Sequence, residues 1–230
     1  QYEYNFRIDT KICQDPYARG LAGREAFGRV SEDKDEHRIR CSFPNLREYN
    51  WEGDVSPGIS YQDMILYKVH VRGYTRQAKV APKKRGTFAG LKEMIPYWKE
   101  LGINAVELMP AYEFMERSTV EPGKAMIRQK HHKDKVNYWG YLPGFYFAPK
   151  SAYCATKKPH KEFCDMVRAF HEAGIECIME MYFPADTAPM KALYALWFWK
   201  KYYHVDGFHL LGDGVPGELI ERDPFLYGVK

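Results

Sequence analysis

From residue 63 onward, short apolar runs alternate with longer stretches that have helical periodicity. Each run has the length of a buried strand, and the stretches between runs repeat apolar residues at the spacing of one helix face. Parallel strands need crossover connections of about this length. The pattern therefore predicts an α/β fold of parallel (β/α) units, with half the strands of a (β/α)8 barrel. The predicted strands are Met64–Val71, Ile103–Met109, Ile175–Met181 and His204–Leu211.

The helices between these strands carry start and stop signals. Thr87 can cap a helix whose apolar positions run to Leu101 and which Gly102 ends. Pro96 falls inside that helix, where the missing N–H predicts a kink. The other predicted helices are Pro159–Ala173, Thr187–Tyr203 and one that begins in Pro216–Leu226.

Two segments between the second and third strands lack this rhythm. Glu113–Lys135 is a charged insertion that contains His131 and His132. Adjacent histidines point apart on a strand, and no Cys, Asp or Glu completes a metal-ligand spacing, so we expect a solvated loop and neither a metal nor a cofactor. Asn137–Tyr153 is rich in aromatic residues, with Gly and Pro between them, and is predicted to be an ordered loop.

Residues 1–60 have no helical periodicity. Tyr2–Asp9 alternates apolar and polar residues, which is typical of a strand with one solvated face. Its best nearby partner is Arg38–Phe43, although an isolated two-stranded hairpin is marginal in water. We expect residues 1–60 to form a β-rich extension that packs on the following chain, and residues 61–230 to form the (β/α) domain.

Composition excludes several function classes. The chain has 230 residues, of which 45% are hydrophobic and 28% charged, as in ordinary soluble domains. Its net charge of +4 comes from interleaved basic and acidic residues, whereas nucleic-acid binding favours a clustered basic face. There is no apolar run near the roughly 20 residues of a membrane span and no signal-peptide pattern. We expect reduced cysteines, a cytoplasmic location and no nucleic-acid or membrane partner.

Several segments share a pattern with one enzyme family. They are Ile65–Tyr74, Gly86–Leu91, Leu101–Pro110, Asn137–Pro143 with Phe147–Pro149, and Asp15–Ala18. In this order they resemble the first barrel strand, first helix, second strand and following aromatic loop of glycoside hydrolase family 13, the α-amylase family, and the junction between its starch-binding β-sandwich and its barrel. The similarity is greatest to the pullulanase, isoamylase and glycogen-debranching branch.

The resemblance implies a (β/α)8-type barrel of which this sequence holds the first four strands, preceded by the end of a starch-binding β-sandwich. In the family, an acid/base Glu and a transition-state Asp lie on later strands. Those strands are not in this sequence, and the chain resembles a piece cut from a larger protein.

The sequence departs from the family where its chemistry is carried. The third-strand pattern Asp-Val-Val-x-Asn-His corresponds to a run with Glu180 for Asp, Pro184 for Asn and Ala185 for His. The fourth-strand pattern Gly-Phe-Arg-Phe-Asp has His209 for Arg and Leu211 for the nucleophilic Asp. A retaining glycosidase needs two carboxyls about 5–5.5 Å apart. This chain supplies neither at the expected place.

A few residues remain candidates for the site. Tyr141 matches the family tyrosine that stacks on the sugar beside the cleavage point, although a core aromatic is an open alternative. His209 and Trp139 are further candidates for substrate binding, with Trp139 better interpreted as structural. Asp213 and Glu180 are weak catalytic candidates, because Gly residues on both sides of Asp213 favour a turn over a continued strand.

Three hypotheses follow. The first is a catalytically degenerate α-glucan-binding or scaffold domain, with weak affinity for maltooligosaccharides. The second is a fragment of an active α-glucan hydrolase that uses displaced carboxylates. The third is an interaction module without sugar affinity. Because half a barrel leaves two strand edges open, we also expect self-association or pairing with the missing half.

Overall fold

The computed structural model describes residues 2–28, 39–116 and 136–230. Its centre is a sheet of four parallel strands. This confirms the predicted parallel α/β architecture and the identity of its four strands. The strands are β6 (Leu66–Val69), β7 (Ala105–Leu108), β10 (Glu176–Tyr182) and β11 (Gly207–Leu211). Their order in the sheet is β11-β10-β7-β6.

Helices connect the strands as predicted, with one correction. Thr87 caps the first long crossover by accepting a hydrogen bond from the Gly90 N–H at 3.2 Å. The chain then forms two short helices instead of one kinked helix, because Pro96 lies in the first turn of the second, where its missing N–H costs little. The helices are α1 (Val71–Tyr74), α2 (Phe88–Lys92), α3 (Ile95–Glu100), α4 (Pro159–Glu172), α5 (Pro189–Tyr203) and α6 (Gly217–Glu221).

Two predicted strands extend beyond the observed ones, the first at its C-terminal end and the fourth at its N-terminal end. Each difference has a local cause. The first strand stops at Val69 because the imidazole of His70 accepts a hydrogen bond from the Gly73 N–H at 3.0 Å and starts helix α1. The fourth begins at Gly207 because His204 ends α5 in the left-handed conformation, with φ of 53°. A side chain that can cap a helix, or a C-terminal cap without glycine, is not visible in apolar periodicity.

The aromatic segment after β7 is more regular than predicted. Gly144–Pro149 forms β9, which pairs antiparallel with β8 (Tyr112–Phe114). A Cβ at Gly144 would lie 2.6 Å from the Glu113 carbonyl oxygen, so only glycine permits this approach. The prediction that the charged insertion starts at Glu113 was therefore wrong, since Glu113 is a buried strand residue. His131 and His132 lie outside the described residues.

The N-terminal part is β-rich, as predicted. Strand β5 (Arg40–Ser42) pairs with β1 (Glu3–Tyr4), so the expected partner for the first strand is correct. The strand predicted over Tyr2–Asp9 divides in two, and its second half, β2 (Phe6–Ile8), forms a hairpin with β3 (Lys11–Cys13). The domain boundary near residue 60 stays a prediction. The remaining strand is β4 (Gly20–Ala22), and the 3-10 helices are Leu46–Glu48, Pro82–Lys84 and Ser151–Tyr153.

A buried four-charge cluster, not predicted from the sequence, joins the N-terminal part to the β8–β9 hairpin. Arg24 donates to Glu116 at 2.6 Å and to the carbonyl of Phe114 at 2.8 Å. The Lys150 ammonium lies 3.0 Å from Glu113 and 2.7 Å from Glu116. The side chains of both Lys150 and Glu113 are almost fully buried. Two cations and two anions neutralise each other, which a buried site requires.

The main core lies between the parallel sheet and helices α4 and α5. Large aromatic side chains fill it, among them Trp98, Phe163, Phe170, Trp199 and Tyr203. Burying a phenylalanine side chain such as that of Phe163 or Phe170 contributes about 1.5–3 kcal/mol. All five cysteines are free thiols, as predicted. None of the helices in the described part of the chain has both the length and the apolar character needed to cross a membrane.

Candidate functional site

Four polar side chains meet at the sheet, one from each parallel strand. In register, Lys68 on β6 lies beside Glu107 on β7, and Glu180 on β10 lies beside His209 on β11. Barrels of this type carry their sites where the strands end in loops. We call these four residues, together with Tyr141 from the aromatic loop, the strand-end cluster.

The cluster is closely connected. The Lys68 ammonium donates to Glu180 and lies 3.3 Å from Glu107. His209 Nδ1 lies 2.8 Å from Glu107 Oε1 and 3.3 Å from Glu180 Oε1. The Tyr141 hydroxyl donates to Glu180 Oε2 at 2.8 Å. Each carboxylate therefore has at least two polar partners before any ligand arrives.

The pKa values of the two carboxyls of the cluster shift in opposite directions. Burial raises the pKa of Glu180, and the hydrogen bond with Glu107 raises it further, more than Lys68 and Tyr141 lower it. Burial also opposes ionisation of Glu107, but the hydrogen bond from His209 and the charge of Lys68 outweigh it, and the pKa of Glu107 falls below its usual value. Glu107 is thus the more acidic member of the pair, and Glu180 binds a proton more readily.

The surrounding groups respond to the same charges. Burial acts to lower the pKa of Lys68, but Glu180 and Glu107 together raise it above its usual value. Burial and the hydrogen bond to Glu180 raise the pKa of Tyr141 to about 12. At neutral pH the ammonium is charged and the phenol is neutral. Lys68 is therefore a fixed cation, and Tyr141 is a fixed donor.

Glu107, Glu180 and His209 each offer a ligand atom, and these atoms lie within 4.8 Å of one another. Such a donor set can hold a divalent cation in other proteins. Here the Lys68 ammonium contacts both carboxylates and already supplies their positive charge. We therefore interpret the group as an internal ion-pair cluster.

Leu211 ends strand β11 on the same side as His209. Phe208 and Leu210, which alternate with these two residues along the strand, pack against the main core, so His209 and Leu211 lie on the opposite face. Leu211 is half-buried, and its carbonyl accepts a hydrogen bond from the Phe183 N–H at 2.8 Å. The position corresponding to the family nucleophile thus presents an apolar side chain next to the cluster.

Asp213 lies in an exposed turn beyond the end of the strand. Gly212 has φ of 94°, which ends the alternation, and the Gly214 N–H donates to the carbonyl of Phe183 at 2.9 Å. A Cβ at Gly214 would lie 2.0 Å from the carbonyl oxygen of Pro184. The turn is therefore held tightly against the preceding loop, and Asp213 does not continue the face of His209.

The two aromatic candidates have different surroundings. Tyr141 is half-buried, and its ring meets Tyr182 edge-on at 6.3 Å between centroids. Trp139 is 53% exposed and packs edge-on against Tyr138 and His70. Tyr141 is therefore part of the strand-end cluster, whereas the ring of Trp139 is open to solvent on one side.

Sequence reasoning identified three members of the cluster and missed two. Glu107 is a single carboxylate within the buried strand β7, and an isolated charge in an apolar strand was a usable signal. Lys68 has the strand spacing of a residue on the polar face of β6. Both residues lie in segments that resemble the family, Lys68 in Ile65–Tyr74 and Glu107 in Leu101–Pro110, but the resemblance of those segments assigns no site role to either residue.

Comparison with known proteins gives consistent results. No family model matches the chain. It is 33% identical to chloroplastic isoamylase 1 of Arabidopsis thaliana over 187 residues, which is 78% of this chain and 23% of that protein. It is 34% identical to the glycogen operon protein GlgX homolog of Haemophilus influenzae over 201 residues, or 79% of this chain and 29% of that protein. The chain thus spans about a quarter of the length of these curated relatives.

Solved structures match the fold. The glycogen-degrading pneumococcal virulence factor SpuA, in a product complex, aligns with a TM-score of 0.65 and 21% identity over 91% of this chain and 26% of its own. The pullulanase SAP of Group B Streptococcus, in complex with maltotetraose, aligns with a TM-score of 0.64 and 22% identity over 91% of this chain and 33% of its own. The parallel sheet and its helices thus have the arrangement found in these enzymes.

Proposed function

The chain is a homologue of the debranching enzymes of glycoside hydrolase family 13, the α-amylase family, and on this basis we propose that it is an α-glucan-binding domain that does not hydrolyse glucan on its own. The binding face is the strand-end cluster with the aromatic loop around it. The chain would then bind the same class of carbohydrate as its relatives without catalysing their reaction.

Binding is supported by the placement of Tyr141. Its ring lies at the sheet end while its hydroxyl is held by Glu180, so the ring has a fixed orientation. Flat aromatic rings offer apolar faces on which sugar rings stack. The solvent-exposed ring of Trp139 offers a second such surface. Pullulanases similar in fold have been solved with maltotetraose and with maltohexaose.

The absence of hydrolysis is supported by one observation above all, the leucine at position 211. An alkyl side chain cannot form the covalent intermediate of a retaining mechanism. The two nearby carboxyls, Glu107 and Glu180, are already engaged by Lys68, His209 and Tyr141. Neither is free to attack a sugar carbon.

A titration with maltoheptaose, followed by tyrosine and tryptophan ring resonances, tests the binding part. We expect a dissociation constant near the millimolar range, on the order of −4 kcal/mol. The affinity is weak because sugar hydroxyls find no polar partner at Leu211 or Ala185. Tyr141→Ala should abolish the shifts, while Met190→Ala, an exposed position on α5, should leave them unchanged. If no ring resonance shifted at maltoheptaose concentrations up to tens of millimolar, the sugar-independent interaction module would be the remaining hypothesis.

Assays on pullulan, amylose and glycogen test the other part. We expect no turnover by the chain. The raised pKa of Glu180 is the one feature that favours the alternative of a displaced acid group. If the chain showed turnover, and Glu180→Gln or Asp213→Asn abolished it, the chain would be an active hydrolase fragment and the proposal of a non-hydrolysing binding domain would be wrong.

We further propose that the sheet edges pair with other strands. Within the described residues, β6 has β7 as its only strand partner, and β11 has, beyond β10, only the backbone of Lys230 beside Phe208. Open edges favour association. Sedimentation at tens of micromolar should show oligomers, and a clean monomer would contradict this.

A further inference from the structure

A buried histidine lies between two carboxylates at the end of the sheet opposite the strand-end cluster. His171 on α4 has its Nδ1 2.9 Å from Asp54 Oδ1 and its Nε2 3.0 Å from Asp206 Oδ2. The side chains are 2%, 1% and 3% exposed, respectively. Both ring nitrogens therefore face acceptors in a place that excludes water.

This geometry selects one charge state. A neutral imidazole has one N–H donor and one lone pair, so one of its nitrogens would face a carboxylate with no proton between them. The imidazolium donates to both carboxylates at once. Burial acts to lower the pKa of His171, but Asp206 and Asp54 together raise it above its usual value.

Other charged and titratable groups face the same site. His204, at the end of α5, has Nδ1 2.6 Å from the second oxygen of Asp54 and stacks on Trp51. Asp206 also accepts from the Cys177 N–H at 2.7 Å and from the Ser56 hydroxyl. Burial raises the pKa of the Cys177 thiol, so it stays neutral.

Helix α4 itself contributes three further groups. Cys164 is buried, and this raises the pKa of its thiol, so it also remains neutral. Asp165 accepts from the Tyr49 hydroxyl at 3.0 Å. Arg168 donates to the carbonyls of Asn50 and Glu52 at 2.7 and 3.0 Å. Arg168 thus places its guanidinium against the backbone of residues 50 and 52.

These contacts converge on one stretch of chain. Residues 49–59, which we call the strap, lead from the N-terminal β-rich part to the first parallel strand. Asp54 and Ser56 tie the strap to His171 and Asp206, and the Ile59 N–H donates to Glu176 at 2.7 Å. The strap has little regular structure of its own and is held by side chains from α4, from the end of α5, from the residue before β11 and from the first residue of β10.

We propose that His171 is a pH-sensitive latch: protonated, it fastens the strap to the base of the sheet through Asp54 and Asp206, and on losing its proton it releases the strap. The sign follows from the direction of the shift. The pKa of His171 is higher in the folded protein than its usual 6.5. Its contribution to the stability of the fastened strap is therefore complete below about pH 6.5 and is lost as the pH rises through the raised pKa. Release would loosen the connection between the two parts of the chain.

The charge state is tested directly in the unaltered chain. In the histidine-labelled protein, long-range proton–nitrogen spectra at pH 6.5, the usual pKa of the side chain, should show both ring nitrogens of His171 predominantly protonated. A single neutral tautomer at that pH would overturn the latch. This measurement needs no variant, so it is independent of any folding defect.

Release of the strap is tested by hydrogen exchange, corrected for the intrinsic pH dependence. The Asp54 N–H, which donates to the carbonyl of Trp51 at 2.9 Å, reports on the strap. Its opening should increase about tenfold for each pH unit between the usual and the raised pKa of His171. In His171→Gln this dependence should vanish, whereas in the matched control His204→Gln it should persist. Equal pH profiles in wild type and His171→Gln would refute the proposal.

Discussion

Glu180 and His209 lie directly opposite each other on two parallel strands, yet His209 Nδ1 is closer to Glu107, at 2.8 Å, than to Glu180, at 3.3 Å. The histidine thus reaches past its register partner to the strand beyond. The hydrogen-bond donors to Glu180 are Lys68 and Tyr141, which donate to different oxygens of that carboxylate. For Glu107, burial is outweighed by the hydrogen bond from His209 and the charge of Lys68, so its pKa falls, whereas burial and the hydrogen bond with Glu107 keep the pKa of Glu180 raised despite its two donors.

The first prediction concerns the lysine of the cluster. Lys68→Met removes the cation shared by Glu107 and Glu180 and should lower the free energy of unfolding by about 1–3 kcal/mol at pH 7. The range is below that for a fully buried pair because the Lys68 side chain is 42% exposed. Urea denaturation measures it. Lys84→Met, which breaks the exposed pair with Glu93, is the control and should change stability by under about 1 kcal/mol.

The second prediction concerns the pH dependence that Glu180 creates. Its pKa is raised above 4.5 in the folded chain, so protonation favours folding. That contribution is present below about pH 4.5 and is lost as the pH rises through the raised value. Glu180→Gln, whose amide oxygen can still accept from Lys68, should remove this dependence. Unfolding curves measured from pH 4 to 8 test it, and an unchanged profile would contradict the assignment.

The fold was largely predictable because apolar periodicity fixes which segments are strands and which are helices. The four parallel strands needed only runs such as Ile175–Met181 and the length of the chain between them. Boundaries were less predictable, since the capping by His70 and the left-handed turn at His204 depend on single side chains and dihedral angles.

The candidate site was only half predictable. Motif resemblance pointed to Tyr141, Glu180 and His209 because the family uses those positions. Lys68 and Glu107 matter here through their distance to these residues, and distance across three strands cannot be read from one sequence. The buried charge cluster of Arg24 and its partners escaped for the same reason, because it joins segments about 90 residues apart.

The third prediction tests that buried cluster. Lys150→Met leaves Glu113 and Glu116 with Arg24 as their remaining cation in a site nearly without water. An unpaired buried carboxylate should cost about 3–5 kcal/mol of unfolding free energy. Chemical denaturation of Lys150→Met measures it, beside the exposed control Lys157→Met. A loss as small as that of the control would mean that the cluster is solvated.

The last prediction separates the two roles of Tyr141, ring stacking and hydrogen bonding. Tyr141→Phe keeps the ring and removes the hydroxyl that donates to Glu180. The unfolding free energy should fall by about 1 kcal/mol, the usual net value of such a bond. Maltoheptaose affinity should stay within about threefold of wild type, which corresponds to well under 1 kcal/mol. Calorimetric titration and urea denaturation of Tyr141→Phe, with the exposed control Tyr61→Phe, measure both. If Tyr141→Phe lost affinity as completely as Tyr141→Ala, the hydroxyl and its hold on Glu180 would be the binding determinant, and stacking would not.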